Sequence, residues 1–271
     1  MNRPIKIAQV ALEAVDDLTA KIKGYERSFE KILPGNQPFV VRLDGVSFKR
    51  FTSRLQKPFD PNFTEAMIRT TKDLMDRSAS ITGFCQSDEI TLISGPALRD
   101  DEKNLLYGGR VSKICSVLAS LAAARFNHHL QMLLNSELPE LGIFDARVFS
   151  VPDWLTCADV LRWRHQHDCR RNALQSILQA HYSAKQLHGR PIKEMIHALK
   201  RDKGVDAFAA YPAANVFGTF VKRMSFEHIG HNPISNTSVT TTRTRLEARS
   251  FDWNENDPTK QVGFVNSVHF Q

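Results

Sequence analysis

Three carboxylates stand where they could do chemistry together: Asp44, Asp88 and Glu89. Asp44 follows a short apolar run, PFVVRL (38–43), which reads as a buried strand. Asp88 and Glu89 lie in QSDE (86–89), between the apolar runs TGFC and ITLIS, a hairpin with acids at its turn. If strand and hairpin are neighbours, the acids converge at one edge of a sheet, and converging carboxylates repel unless a cation neutralises them. Oxygen-only ligands suit Mg2+, which keeps part of its water shell and takes phosphate oxygens for the rest. Two such ions roughly 4 Å apart can activate a hydroxyl and hold a leaving group. Gly45 offers a carbonyl to a metal, and its missing side chain would let a triphosphate approach. The same residues also spell turns, because Asp-Gly after a strand and Ser-Asp-Glu in a hairpin are ordinary turn chemistry. Spacing alone leaves both readings open and leans towards the turn. No P-loop of the form G-x-x-x-x-G-K-[ST] is present.

The basic residues Arg42, Lys49, Arg50, Lys57, Arg110 and Lys113 divide in the same way. Lys and Arg are mostly solvated surface charges. Arg110 and Lys113, however, fall near the start of a long helix, where positive charge opposes the helix dipole. A bound phosphate would remove that conflict.

The elements that must hold these residues follow from periodicity. Residues 14–33 read as a helix, with Leu18, Ile22, Tyr25, Phe29 and Ile32 at helical spacing and Pro34-Gly35 ending it. Asp60-Pro61 reads as an N-cap with proline at the first helical position of a helix to about Ser80. Met67, Thr71 and Leu74 face inward on it. Residues 95–108 read as a loop, 109–134 as a long helix and 144–151 as an alternating strand. Helices follow at 153–162, 164–184 and 191–200. The end, 231–271, is polar and Thr-rich and reads as irregular, with one or two edge strands or an arm. This order suits an α+β fold with a split βαβ pattern: an antiparallel or mixed sheet, helices on one face, and helical additions towards the C-terminus. Residues 1–230 are expected to form the catalytic domain, with 231–271 as an extension of it.

Bulk properties bound the function. With 271 residues, 42% of them apolar, the chain can bury a core without disulfides. Its four cysteines form no C-x-x-C pair and read as reduced thiols of an intracellular protein. The N-terminus, with Lys6 interrupting any apolar core and Glu13, Asp16 and Asp17 soon after, argues against a secretory signal. No stretch is apolar for long enough to span a bilayer. The net charge of +7 raises the odds of a polyanionic partner such as nucleic acid.

Four segments then carry a resemblance: VRLDGVSFKRF (41–51), GFCQSDEITLI (83–93), GGRVSKICSVLAS (108–120) and FDARVFSVP (144–152). Together they resemble tRNA-His guanylyltransferase and its like-proteins, which add nucleotides to the 5′ end of RNA. R-L-D-G-x-x-F with Q-S-D-E, in this order and at this separation, is a specific combination, and it turns the reading from turn to active site. The resemblance implies a palm-like catalytic domain. It implies two Mg2+ ions on Asp44, Asp88 and the Gly45 carbonyl, with Glu89 in support. It implies that Asp44, Gly45, Val46, Ser47, Phe48 and Lys49, with Ser87, hold the nucleotide, and that Arg42, Lys57, Arg110 and Lys113 lie near phosphates. Arg42, Arg164, Arg170, Arg171 and Asn172 are expected on RNA, ATP and GTP or other NTPs as substrates, tRNA as partner, and a homotetramer as the assembly. A cytoplasmic location is expected, a mitochondrial one being the alternative.

Two departures from the family pattern bear on the substrate. Lys49 stands where members usually carry His. WRHQHDCRRNAL (163–174) resembles the family's W-R-Q-x-D stretch with one extra residue before Asp168, followed by Cys169-Arg170-Arg171-Asn172 where the eukaryotic tRNA-His enzymes have C-H-I-N-N. Arg171-Asn172-Ala173 resembles the like-protein branch. The expectation is therefore templated 5′-end repair of truncated tRNA. The alternatives are dedicated tRNA-His guanylylation, a nucleotidyl cyclase-like enzyme, and an RNA-binding module without chemistry.

Overall fold

The computed structural model describes residues 3–97, 104–232, 236–251, 253 and 257–270. In chain order the elements are α1 (Arg3–Ser28), β1 (Phe39–Gly45), α2 (Phe48–Phe51), α3 (Pro61–Ser78), β2 (Thr82–Gln86), β3 (Glu89–Ser94), α4 (Val111–Leu134), β4 (Phe144–Ser150), α5 (Trp154–Trp163), a π-helical turn at Arg164–Asp168, α6 (Cys169–His181), α7 (Ala184–Leu187), α8 (Ile192–Lys203), α9 (Ala213–Phe217), β5 (Thr219–Asn232), β6 (Thr237–Arg249) and α10 (Pro258–Asn266). The strands form one six-stranded sheet in the order β4-β1-β3-β2-β5-β6. Every pairing in it is antiparallel. The fold is α+β, and β1-α3-β2 with β3 between the two strands is the split βαβ unit.

Burial sorts the strand residues onto two faces. Val41, Leu43, Cys85, Leu92 and Val221 pack beneath α3 and α4. Val40, Phe84, Ile93 and Phe220 point the other way and pack with Cys157 and Leu161 of α5 and with Phe264 and Val265 of α10. Helices therefore cover both faces, not one. Periodicity marks a helix as amphipathic but does not say which face of the sheet receives it.

The Asp60 carboxylate caps α3 by accepting from the Asn62 and Phe63 amides at 2.9 and 3.1 Å. The first helix differs from expectation: α1 begins upstream and ends at Ser28, leaving Phe29 and Ile32 outside it. The end of the chain is more regular than its composition suggested. β5 and β6 pair from Phe220–Arg249 to Asn232–Thr237, and only the first residues of β5 also pair with β2. The hairpin thus runs well beyond the sheet, and β5 crosses the boundary expected at residue 230. The loop expected at 95–108 falls partly outside the described residues.

Candidate active site

The β1–β3 register places Asp44 opposite Glu89, and the β1–β4 register places it opposite Asp145. Directly paired residues share a face of the sheet, so three carboxylates meet there. Asp88 joins them from the two-residue turn between β2 and β3, where Ser87 takes a left-handed backbone (φ 53°). The Ser87 hydroxyl donates to Asp88 Oδ1 at 2.9 Å, and the Gly45 amide donates to the Asp88 carbonyl at 3.0 Å. The hairpin turn is thereby tied to the end of β1.

The charges are unevenly satisfied. Burial, then Glu89, Asp88 and Asp145, pushes the Asp44 carboxyl up to about 6. Burial also raises Asp88, against the pull of Ser87. Glu89 is as enclosed, but Arg164 and Arg42 outweigh that burial and hold its carboxyl below the ordinary range. Arg42 reaches Glu89 Oε1 at 2.6 Å, and Arg164 bonds both Glu89 and Asp168. Asp168 is also 3.6 Å from Arg42 and 2.9 Å from Arg171. Glu89 is engaged by two guanidiniums, while among the described residues Asp44 and Asp88 make no ion pair. Among the described residues no three His, Cys, Asp or Glu side chains are arranged as a metal cluster. Asp44 and Asp88 are half-buried beside Gly45, and two carboxylates with a backbone carbonyl are an oxygen set that fits Mg2+ with phosphate oxygens completing it.

The π-helical turn explains the extra residue before Asp168. A π turn absorbs one additional residue inside a helix. It lets α5 and α6 run on while Arg164 and Asp168 both face Glu89.

Several expected site residues sit elsewhere. Arg164 is 1% exposed and Arg42 is half-buried against acids, so neither presents its charge to RNA. Arg110 pairs with Glu30 at 2.9 Å, and Lys113 lies 5.6 Å from the Tyr107 ring centroid. The first turn of α4 sits at the entry to β1, where the Val111 amide donates to the Lys31 carbonyl. It is Phe126, further along α4, that meets Phe144 and Phe48 beside the carboxylates. The helix between Lys113 and Phe126 is about 20 Å long, so the structure does not bring Arg110 and Lys113 to Asp44. Phe48 is buried in an aromatic cluster with Phe51, Phe63, Phe126 and Phe144, so its ring belongs to the core and is not presented at the surface. Packing also calls for glycine at position 45, because a Cβ there would run into the Phe48 ring.

The remaining expected residues are placed as follows. Val46, Ser47 and Lys49 are exposed beside Asp44. Ser47 is left-handed (φ 59°), which swings the chain into α2. Lys57 and Ser87 line a cavity of about 110 Å³ with Leu55, Phe63, Met67 and Gln86. Gln86 donates to the Asn215 carbonyl at 3.0 Å, and its Oε1 is buried without a partner. Arg170 stacks over Phe217 at 5.2 Å, Arg171 is 62% exposed at its side chain, and Asn172 is half-buried on α6. Sequence reasoning missed Asp145. Its signal was the alternation in FDARVFSV, which marked it as solvent-facing; its side chain is 50% exposed, yet it abuts Asp44. Cys85 and Cys169 are buried, and burial pushes both thiols up, which keeps them protonated.

Comparison with known proteins agrees with this geometry. A family model described as tRNAHis guanylyltransferase (Thg1) matches residues 19–152. A mimivirus protein, R259 of Acanthamoeba polyphaga mimivirus, is 34% identical over 80% of both chains. A probable tRNA(His) guanylyltransferase of Dictyostelium discoideum is 31% identical over 55% of this chain and 58% of its own. Among solved structures, a bacterial tRNA(His) guanylyltransferase-like protein in complex with ATP superposes with a TM-score of 0.69 at 29% identity, covering 75% of this chain and 87% of that one. The Saccharomyces cerevisiae tRNA(His) guanylyltransferase shares the fold, with a TM-score of 0.61 at 23% identity over 73% of this chain and 91% of its own. The sheet register, the paired aspartates and these similarities converge on one assignment: the chain belongs to the tRNA-His guanylyltransferase family and is a nucleotidyltransferase of that kind.

Proposed function

We propose that this enzyme adds nucleotides to the 5′ end of RNA under the direction of a template strand, with 5′-truncated tRNA as the repaired substrate. The observation that carries the reading is the pair Asp44 and Asp88, tied through Gly45 and raised by burial and by neighbouring acids, beside the cavity at Ser87. Asp44, Asp88 and the Gly45 carbonyl would hold two Mg2+ ions, which lower the pKa of an attacking hydroxyl and neutralise triphosphate charge. The exposed loop 46–49 borders that site, and amides in the first turn of a helix lack intrahelical acceptors, which suits phosphate oxygens. Lys57 adds a positive charge at the cavity rim. The apolar side chains Leu55, Phe63 and Met67 offer the incoming base a slot. The bacterial relative solved with ATP supports ATP as the activating nucleotide and NTPs as substrates.

The template selects the base. Lys49 and Cys169-Arg170-Arg171-Asn172 depart from the tRNA-His pattern, and the exposed Arg171 can grip RNA backbone, which positions without specifying sequence. A homotetramer and a cytoplasmic location belong to the same reading. Among the described residues no helix is long and apolar enough to cross a membrane. The test is incubation of labelled NTPs with 5′-truncated tRNA, with and without Mg2+. Mg2+-dependent lengthening at the 5′ end is expected; a cyclic product from NTP alone, or RNA binding without lengthening, would overturn the reading.

A further inference from the structure

The ion pairs behind the aspartates form a ring with one open link. Arg164 donates from one nitrogen to Asp168 and from the other to Glu89. Arg42 donates to the second Glu89 oxygen at 2.6 Å but lies 3.6 Å from Asp168, beyond hydrogen-bond reach. Two acids and two guanidiniums balance. A third guanidinium, that of Arg171, bonds the remaining Asp168 oxygen at 2.9 Å, and its side chain is 62% exposed. The ring therefore carries one surplus positive charge, and it is the one that a ligand can reach from outside. The π turn sets Asp168 beside Arg164, and the first turn of α6 sets Arg171 beside Asp168.

The ring also acts on the aspartates. Glu89 follows Asp88 in the chain and opposes Asp44 in the sheet. The charge of Arg42 favours ionised Asp44, and that of Arg164 favours ionised Asp88. The same two guanidiniums thus serve Glu89, Asp168 and both aspartates. While Arg171 holds Asp168, little draws them away from the aspartates. With Arg171 engaged elsewhere, Asp168 pulls Arg42 across the open link and holds Arg164 harder. Positive charge then leaves the Asp44–Asp88 pair, and a more negative pair attracts a divalent cation more strongly.

We propose that Asp168 is a positioning residue that couples RNA to metal: when an RNA phosphate engages Arg171, the site at Asp44 and Asp88 gains affinity for Mg2+. The inference rests on the nucleotidyl-transfer reading above, which supplies both the RNA and the metals. A guanidinium fork suits a phosphate at least as well as the carboxylate it leaves. Binding free energies are reciprocal, so Mg2+ tightens RNA by the same factor. The metals are held most firmly when the RNA they act on is present.

The test titrates the RNA-free full chain with Mn2+, which takes the same oxygen ligands as Mg2+, and reads the free ion by electron paramagnetic resonance. Arg171→Gln removes the surplus charge without RNA and should tighten Mn2+ about fivefold, the low end for coupled sites. Arg171→Lys should keep the wild-type affinity. Asp168→Asn leaves Arg42 and Arg164 to Glu89 and the aspartates, and should weaken Mn2+ by a similar factor. Damage to the fold would not shift the two variants in opposite directions. Should Asp168→Asn not fold, the surface variants at Arg171 still decide. Arg162→Gln removes a cation bonded to Asp159, outside the ring, and should change nothing. In the extension assay, the free Mg2+ giving half the maximal rate should fall as RNA approaches saturation in the wild type and stay fixed in Arg171→Gln. Unchanged Mn2+ affinity in Arg171→Gln, equal tightening in Arg162→Gln, or a wild-type Mg2+ requirement independent of RNA would overturn the coupling. Equal Mn2+ binding by wild type and Asp44→Asn would overturn the metal assignment beneath it. The expected Mn2+ shifts in a protein that extends no RNA would support the ring and overturn the nucleotidyl-transfer reading alone.

Discussion

At the scale of single residues, the site is a set of charges that the fold satisfies selectively. Arg42 and Arg164 neutralise Glu89 and leave Asp44 beside two other acids. Asp44 therefore costs the metal-free protein stability. Asp44→Asn should raise the melting temperature in EDTA by about 2–4 °C, equivalent to ~1 kcal/mol after screening by solvent, while abolishing nucleotide addition. A lowered melting temperature would show that the carboxylate is needed for the fold. The converse holds for Arg164, which is buried between two acids. Arg164→Ala leaves Glu89 and Asp168 uncompensated and should cost about 3–5 kcal/mol in urea denaturation; a loss under 1 kcal/mol would contradict the network. Asp44, Asp88 and Glu89 were legible because they punctuate buried apolar runs. Asp145 was not, because alternation assigns every other residue of a strand to solvent, and only register puts it against Asp44. Arg164 was misread as an RNA contact because local sequence cannot show that Glu89, distant in the chain, neutralises it.

At the scale of elements, short buried strands bounded by turn residues were readable, and so was the capped helix α3. The π turn was not, since Arg-His-Gln-His-Asp has no periodicity separating it from an α-helix. Neither was β5, whose apolar start Phe220-Val221 gives way to a stretch outside the core. Lys222 follows that start and is fully buried. Its ammonium donates to the Thr82 hydroxyl at 2.8 Å and to the Phe264 carbonyl, which holds α10 on the sheet. Burial pushes Lys222 down to about 7. A folded-state value below the unfolded one means that the cationic form opposes folding. The cost is present in full below pH 7 and is relieved as pH rises from about 7 towards the unfolded value near 10.4. Relative to Lys222→Met, the wild type should gain roughly 2 kcal/mol of stability between pH 6 and pH 9. Parallel pH profiles would place the ammonium in water.

At the scale of the whole molecule, α1 stands apart. Leu18, Ile22 and Tyr25 are all exposed on it, at 59%, 49% and 60%. Their alternating spacing of four and three residues makes a seam of the coiled-coil kind. A second copy of the chain is the occupant the proposed tetramer supplies, and the acidic Asp16 and Asp17 precede the basic Lys21 and Lys23, which suits antiparallel pairing. Ile22→Glu with Tyr25→Glu should lower the assembly mass measured by light scattering while circular dichroism stays unchanged. An unaltered mass would remove α1 from the interface. The basic charge of +7, by contrast, belongs to the chain as a whole and predicts affinity for RNA without saying where it binds.

The central claim is that a paired template, and not a guanine-reading pocket, chooses the nucleotide. A site that recognises guanine directly must meet its donors and acceptors with placed protein groups, whereas a template leaves the protein to read phosphate and sugar. The most direct measurement is a set of four 5′-truncated tRNAs that differ only in the first unpaired base of the 3′ strand, each incubated with all four NTPs and Mg2+. The added nucleotide should change with that base, C directing G, A directing U, G directing C and U directing A. Addition of G opposite A at the rate of G opposite C would contradict the account and make the protein a dedicated tRNA-His guanylyltransferase.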